Sequence, residues 1–211
     1  MSHLVVQTKP LLQEAERSFA LKDWSGRLIE MSGLAILSCS LSFIYQAQKE
    51  QALVAWVTPK TTGFFPPDAW EWGIDWEALW VVRLSELQAM KRATDTLLRQ
   101  GAFALVVLDI STEVCDVPLS LQTRWLGLCQ KNQVALLCLR GGAGDITRPL
   151  HPTASRLRES HLGSLISLRL QTERQQKAAD RWQLCARVVK DKRLGPFGFF
   201  EQICHAPTGL R

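Results

Sequence analysis

The sequence has no Cys-x-x-Cys pair, no group of cysteines and histidines at zinc-ligand spacing, and only four histidines among 211 residues. No zinc site can be built from such spacing. The six cysteines (Cys39, Cys115, Cys129, Cys138, Cys185, Cys204) are scattered through apolar runs and read as reduced core thiols of a cytosolic chain. The histidines (His3, His151, His161, His205) fall in a tail, a loop and the C-terminus, so neither a Ser/His/Asp nor a Cys/His catalytic arrangement can be assembled. Apolar runs stay short of the ~18 residues that a membrane helix requires. The opening MSHLVVQTKP also lacks the basic start and continuous apolar stretch of a signal peptide. The expectation is a soluble, cytoplasmic protein with no membrane partner.

What is present is the composition of one globular domain, with 46% hydrophobic and 21% charged residues. A balance of 25 Lys and Arg against 20 Asp and Glu leaves a net charge of +5, which permits a polyanionic partner without requiring one. Residues 1–23 carry apolar groups at helical spacing (Leu11, Leu12, Ala15, Phe19) behind Pro10 and predict a leader helix. A single domain is expected over 24–211. It opens with GRLIEMSG (Gly26 to Gly33), a strand closed by glycine, and a helix from Ala35 to Lys49. Strands follow at Ala52 to Pro59, Leu79 to Arg83, Ala104 to Ser111 and Val134 to Gly142. Helices are expected at Pro67 to Trp72, Ser85 to Gln100 and Ser120 to Asn132. Such alternation predicts a mainly parallel sheet covered by helices. Periodicity fails over residues 141–161, which read as a mobile basic loop. Beyond it, LISLRLQTE, a polar turn RQQKAAD, RWQLCARVVKDKR and GPFGFFEQICH predict antiparallel strands with one wet face.

In this order the segments resemble the core of RecA-like proteins, from about Trp24 to the C-terminus. GRLIEMSG is similar to the strand that enters the RecA phosphate loop. GIDWEALWVVR (Gly73 to Arg83) is similar to the approach to the third strand, and ALVVLDIS (Ala104 to Ser111) to the Walker B strand. The most distinctive match is ARVVKDKRLGPFGFFEQI (Ala186 to Ile203), a basic strand, a Pro-Phe turn and a closing strand. The resemblance implies an α/β fold with a RecA-like core, a mainly parallel sheet flanked by helices, and an antiparallel C-terminal extension.

The departures from the pattern carry the functional expectation. A phosphate loop reads G-x-x-x-x-G-K-[ST], because glycines let backbone N–H groups wrap the phosphates, Lys neutralises them and the hydroxyl holds Mg²⁺. Here Gly33 and the final hydroxyl, Ser40, survive, while the second glycine is Ser38 and the lysine is Cys39. The second strand runs out as Val57-Thr58-Pro59-Lys60, without the Glu that activates water in RecA. Asp109 stands at the Walker B place and reads as a structural carboxylate. Only 25 residues precede Gly26, and neither RecA's N-terminal docking element nor its C-terminal DNA-gathering domain has a counterpart. The resemblance therefore implies no nucleotide, no cofactor and no enzymatic activity.

Binding remains. Lys190 and Lys192, two apart, share a strand face, and the similar RecA pair reaches toward the neighbouring subunit's nucleotide. Arg140, Arg148, Arg156 and Arg158, with His151 and His161, occupy the place of the RecA DNA-binding loop. Trp70, Trp72, Trp76 and Trp80 read either as a partner-binding patch or as core packing. Among RecA relatives the eroded phosphate loop is similar to the ImuA type. That likeness implies a nucleoid-associated adaptor in translesion DNA synthesis during the bacterial SOS response. Its partners would be RecA, a mutagenic polymerase complex containing an inactive Y-family homologue, and DNA bound weakly without sequence preference. A SulA-like cell-division inhibitor is the second reading of the same core.

Overall fold

The computed structural model describes residues 20–61, 72–112, 117–141, 162–179 and 181–205. Three apolar runs become wholly buried strands, β2 (Val54–Pro59), β4 (Leu105–Asp109) and β5 (Ala135–Arg140). Strands apolar on both faces need helices above and below, which is the arrangement of parallel sheets. With β1 (Leu28–Gly33), β3 (Leu79–Leu84), β6 (Leu168–Ala178), β7 (Arg181–Asp191) and β8 (Phe199–His205), the eight described strands form one sheet in the order β3-β2-β4-β5-β1-β6-β7-β8. The first six run parallel, and β6, β7 and β8 pair antiparallel.

A short helix α1 (Leu21–Trp24) leads into β1, and α2 (Ile36–Lys49) covers one face of the sheet. Trp24 is buried edge-on against Phe43 of α2, 5.2 Å between ring centroids. The rest of the expected leader helix lies outside the described residues, as does the expected helix over Pro67 to Trp72 except for Trp72 itself. On the opposite face lie α3 (Leu87–Gln100) and α4 (Leu119–Asn132), which bury Met90, Leu98, Trp125 and Cys129. Residue Gly101 ends α3 in the left-handed conformation, φ +65°.

The stretch RQQKAAD departs from its expected role as a turn. Arg174 to Ala178 continue β6 and pair with β7, Arg174 opposite Leu184 and Ala178 opposite Arg181. Exposed polar side chains are compatible with an antiparallel ribbon, whose backbone is satisfied across the strands without an apolar face. The expected one-sided burial does hold nearer the sheet: Leu168, Leu170, Thr172, Leu184, Ala186 and Val188 are buried, while Arg187 is exposed.

A buried ion pair fastens the amino end of this sheet. The Arg27 guanidinium lies 2.6 Å from Asp191 Oδ1, with side-chain exposures of 2% and 1%. Arg27 also donates to Ser167 O and Asp23 O, and the same Asp191 oxygen accepts the N–H groups of Arg193 and Leu194. One carboxylate thus joins the entrance of β1, the start of β6 and the end of β7. Removing one partner strands a buried charge, at about 3–5 kcal/mol. Arg27→Ala should therefore lower the urea midpoint sharply, and Arg27→Met with Asp191→Leu should be more stable than Arg27→Ala alone. Strictly additive losses in that pair of unfolding curves would contradict the role given to the ion pair.

Candidate functional site

In an open parallel sheet, ligands gather at the carboxyl ends of the strands. There the register brings together Gly33 of β1, Asp109 of β4, and Thr58 and Pro59 of β2. Gly33 takes φ +118°, and a Cβ on it would stand 2.1 Å from Thr172 O. The close approach of β6 alone requires glycine at this position. The following amides turn the same way: Leu34 N–H donates to Thr172 O (3.1 Å) and Ala35 N–H to Thr172 Oγ1 (3.2 Å). The Thr172 hydroxyl in turn donates to Ser32 O. Helix α2 begins at Ile36, so only Leu34 and Ala35 connect strand to helix.

Within α2, Ser38 is partly buried, and Cys39 is buried against the sheet core. Burial pushes the Cys39 thiol up to about 12, with Cys185 and Cys204 nearby adding to the shift. Ser40, wholly buried, donates its hydroxyl to Leu37 O at 2.6 Å, a bond back along its own helix. Two apolar side chains, Leu34 and Leu37, face solvent at 55% and 45% exposure beside these residues.

Asp109 is buried and engaged through both oxygens: Oδ1 accepts the backbone N–H and hydroxyl of Ser111 (3.1 and 2.6 Å), and Oδ2 accepts Thr58 Oγ1 (3.2 Å). It ties the end of β4 to the end of β2. Arg140, expected in the exposed basic loop, is instead the last residue of β5 and only 4% exposed. It is paired in register with Ser32, and beyond it Gly141 presses on Ser111, where a Cβ would stand 1.9 Å from the carbonyl oxygen. A strand end packed this closely holds Arg140 away from solvent. Arg148, Arg156, Arg158, His151, His161 and Trp70 lie outside the described residues.

The remaining tryptophans divide between the two expectations. Trp72 and Trp76 pack against the core, whereas Trp80 on edge strand β3 is 56% exposed and meets Phe103 edge-on at 5.6 Å. Lys190 and Lys192 lie at the other end of the molecule, because β7 runs back to finish beside the start of β6 (Asp191 opposite Leu168). The rise of β1 puts that end about 17 Å from the Gly33 junction. Lys192 is the first residue beyond β7 and not part of it. Lys190 Nζ donates to Ser164 O at 3.0 Å, and its pKa is lowered by burial, with Lys192 and Arg169 adding to the effect. Glu30 opposes that shift and is itself buried in β1 against Arg169 (3.2 Å). Glu30, Arg27 and Thr172 were not singled out by sequence reasoning. An acid inside an apolar strand is the signal that marks Glu30, and nothing in the sequence marks Thr172.

No known family profile and no curated protein sequence matches this chain. Among solved structures it is similar to the crystal structure of the RadB recombinase, with a TM-score of 0.56, 18% identity and 86% of each chain covered. The RecA-like fold is thereby shown.

Two outcomes follow from this packing. Gly33→Ala should cost more than ~2 kcal/mol, since it combines a strained φ with a clash against the Thr172 backbone; an unchanged melting temperature would contradict it. Cys39 has its folded pKa raised above the unfolded value of 9.0, so its contribution is intact below pH 9 and is lost as pH climbs from 9 toward about 12. Unfolding titrations across that window should show a shallower alkaline loss of stability for Cys39→Ala than for the natural chain.

Proposed function

We propose that this chain is a non-catalytic RecA-like accessory protein of the bacterial DNA-damage response, an ImuA-type adaptor for translesion DNA synthesis that neither holds nor hydrolyses ATP. One observation carries this reading. At the junction where a phosphate loop would offer its amides to an anion, Leu34 and Ala35 give theirs to Thr172. The lysine position holds a neutral thiol buried in the core, and the Ser40 hydroxyl is spent inside its own helix. Phosphate binding needs free N–H groups and positive charge at one place. The exit of β2 adds no carboxylate there, since it reads Thr58-Pro59-Lys60.

An adaptor works through its surfaces, and the two ends of the sheet offer different ones. The amino end carries Lys190 and Lys192, suited to the acidic face of a RecA subunit or of a polymerase complex. A chain able to join one end of a RecA filament, but unable to accept the next subunit, would tether the polymerase to damaged single strands. Direct DNA contact in this reading is weak, independent of sequence and steeply dependent on salt.

Calorimetric titration with ATP and Mg²⁺ should give no heat attributable to micromolar binding, and Cys39→Lys should lower stability without gaining turnover, because it places an ammonium in the core. Micromolar ATP affinity in the natural chain would overturn the proposal. In pull-downs, RecA should be retained by the natural chain and lost with Lys190→Glu plus Lys192→Glu, since like charge at an interface costs several kcal/mol. Undiminished capture with an unchanged melt would place the contact elsewhere.

A further inference from the structure

The turn between β7 and β8 exposes more apolar surface than its polar sequence context explains. Leu194 is 67% exposed and Phe197 59% exposed, three residues apart in KRLGPFG. Exposed apolar side chains scattered singly are ordinary, whereas here two large ones stand three residues apart on one turn.

This turn is also held in place. Asp191 Oδ1 accepts the N–H groups of Arg193 and Leu194, Gly195 N–H donates to Asp191 O, and Phe197 N–H donates to Gly195 O. Lys192 N–H donates to Ser167 O, and the Arg193 side chain donates to Ser25 O, so both neighbouring elements brace it. A surface ordered before binding loses little conformational freedom when a partner arrives.

Its charge is one-sided for a stated reason. Residues 190–198 contain three cations, Lys190, Lys192 and Arg193, and one acid, Asp191. That acid points inward, buried against Arg27 and the amides of the turn. Outwardly the turn presents two apolar side chains beside cations that no carboxylate of its own offsets.

We infer that the Leu194–Phe197 turn is a protein-docking knuckle for an acidic peptide segment carrying a large apolar side chain, the apolar group seating on Leu194 and Phe197 while its carboxylates meet Lys192 and Arg193. An anchor in an apolar contact with charges at the rim is the usual division of labour in a protein interface. The knuckle deepens the adaptor reading, because it states what the partner's contacting segment must look like, yet it stands on the turn itself rather than on the identity of the partner.

The test uses the full chain and three fluorescent probes: a Glu/Gly peptide with a central Trp-Leu, the same peptide with Ala-Ala in their place, and single-stranded oligo-dT. The Trp-Leu peptide should raise anisotropy at physiological salt and bind at least about tenfold more tightly than the Ala-Ala peptide. Leu194→Ser with Phe197→Ser should erase that difference with an unchanged melt, and Lys192→Glu should weaken both peptides. Equal binding of the two peptides would reduce the turn to a site for any polyanion, and preference for oligo-dT would assign it to nucleic acid; either overturns the inference. So would a natural chain that binds no peptide, or one that sediments as a dimer which the double serine variant converts to monomer. Loss of RecA capture with the Trp-Leu preference intact would sink the adaptor reading alone, whereas a missing preference with RecA still captured would sink the knuckle alone.

Discussion

Arg27 and Asp191 are 164 positions apart and meet inside the protein, where neither charge could remain without the other. Around this pair the molecule is assembled. Arg27 fixes the point at which the chain leaves α1 and enters the sheet, through its bonds to Asp23 O and Ser167 O. Asp191 fixes the point at which β7 stops, because the oxygen that meets Arg27 also accepts the amides that fold the next residues into a turn. With the pair in place, β6 and β7 are held against β1 and the antiparallel extension becomes continuous with the parallel core. Among the described residues the three-stranded extension is covered by a helix on one face, α2, through contacts such as Ser42 with Gln202 and Phe43 with Phe200. Its attachment therefore rests heavily on what happens at its amino end.

A single threonine has a comparable part at the other end. Thr172 accepts two amides from the β1–α2 connection and donates to the last carbonyl region of β1. In doing so it uses polar groups that a loop would otherwise turn outward. The glycine there is explained by the nearness of the Thr172 backbone, and the Ser40 hydroxyl bonds back along its own helix. Packing alone can thus account for a residue that matches a binding motif, and such a match has to be judged by what each atom touches.

The parallel core was legible because its signal is redundant. Runs such as VAWV, LVVL and ALLCL are apolar at every position, and a strand covered on both faces satisfies them. The amphipathic stretches gave α3 and α4 nearly to the residue. The ribbon of β6 and β7 was harder to see, since residues 174–178 are polar throughout and strand pairing there depends on a backbone partner several residues later in the chain. Arg140 was misplaced because an arginine beside two glycines reads as a loop, although the strand it ends was correctly drawn; burial of a cation depends on partners that local sequence does not reveal. Gly33 at the close of a strand, Cys39 and Ser40 within a helix and Asp109 at a strand end were readable from the pattern. The hydrogen bonds at the Gly33 turn were not, because their partner Thr172 comes from a distant segment, as does Thr58 for Asp109, whereas Ser40 and Asp109 also bond to Leu37 and Ser111 close by in the chain.

The central place of β1 has a consequence for how the protein is made. Its two lateral neighbours are β5 and β6, supplied by residues from Ala135 onward, so the first strand of the sheet to leave the ribosome is among the last to be enclosed. Until then the apolar LIEM segment lies open, with Glu30 and Arg27 awaiting Arg169 and Asp191 from the final third of the chain. Long-range closure of this kind is slow and leaves apolar surface uncovered for the duration of synthesis. In a chain of this topology the edges of β1 stay uncovered until β5 and β6 have been made, and the charge of Arg27 waits for Asp191 at the end of β7.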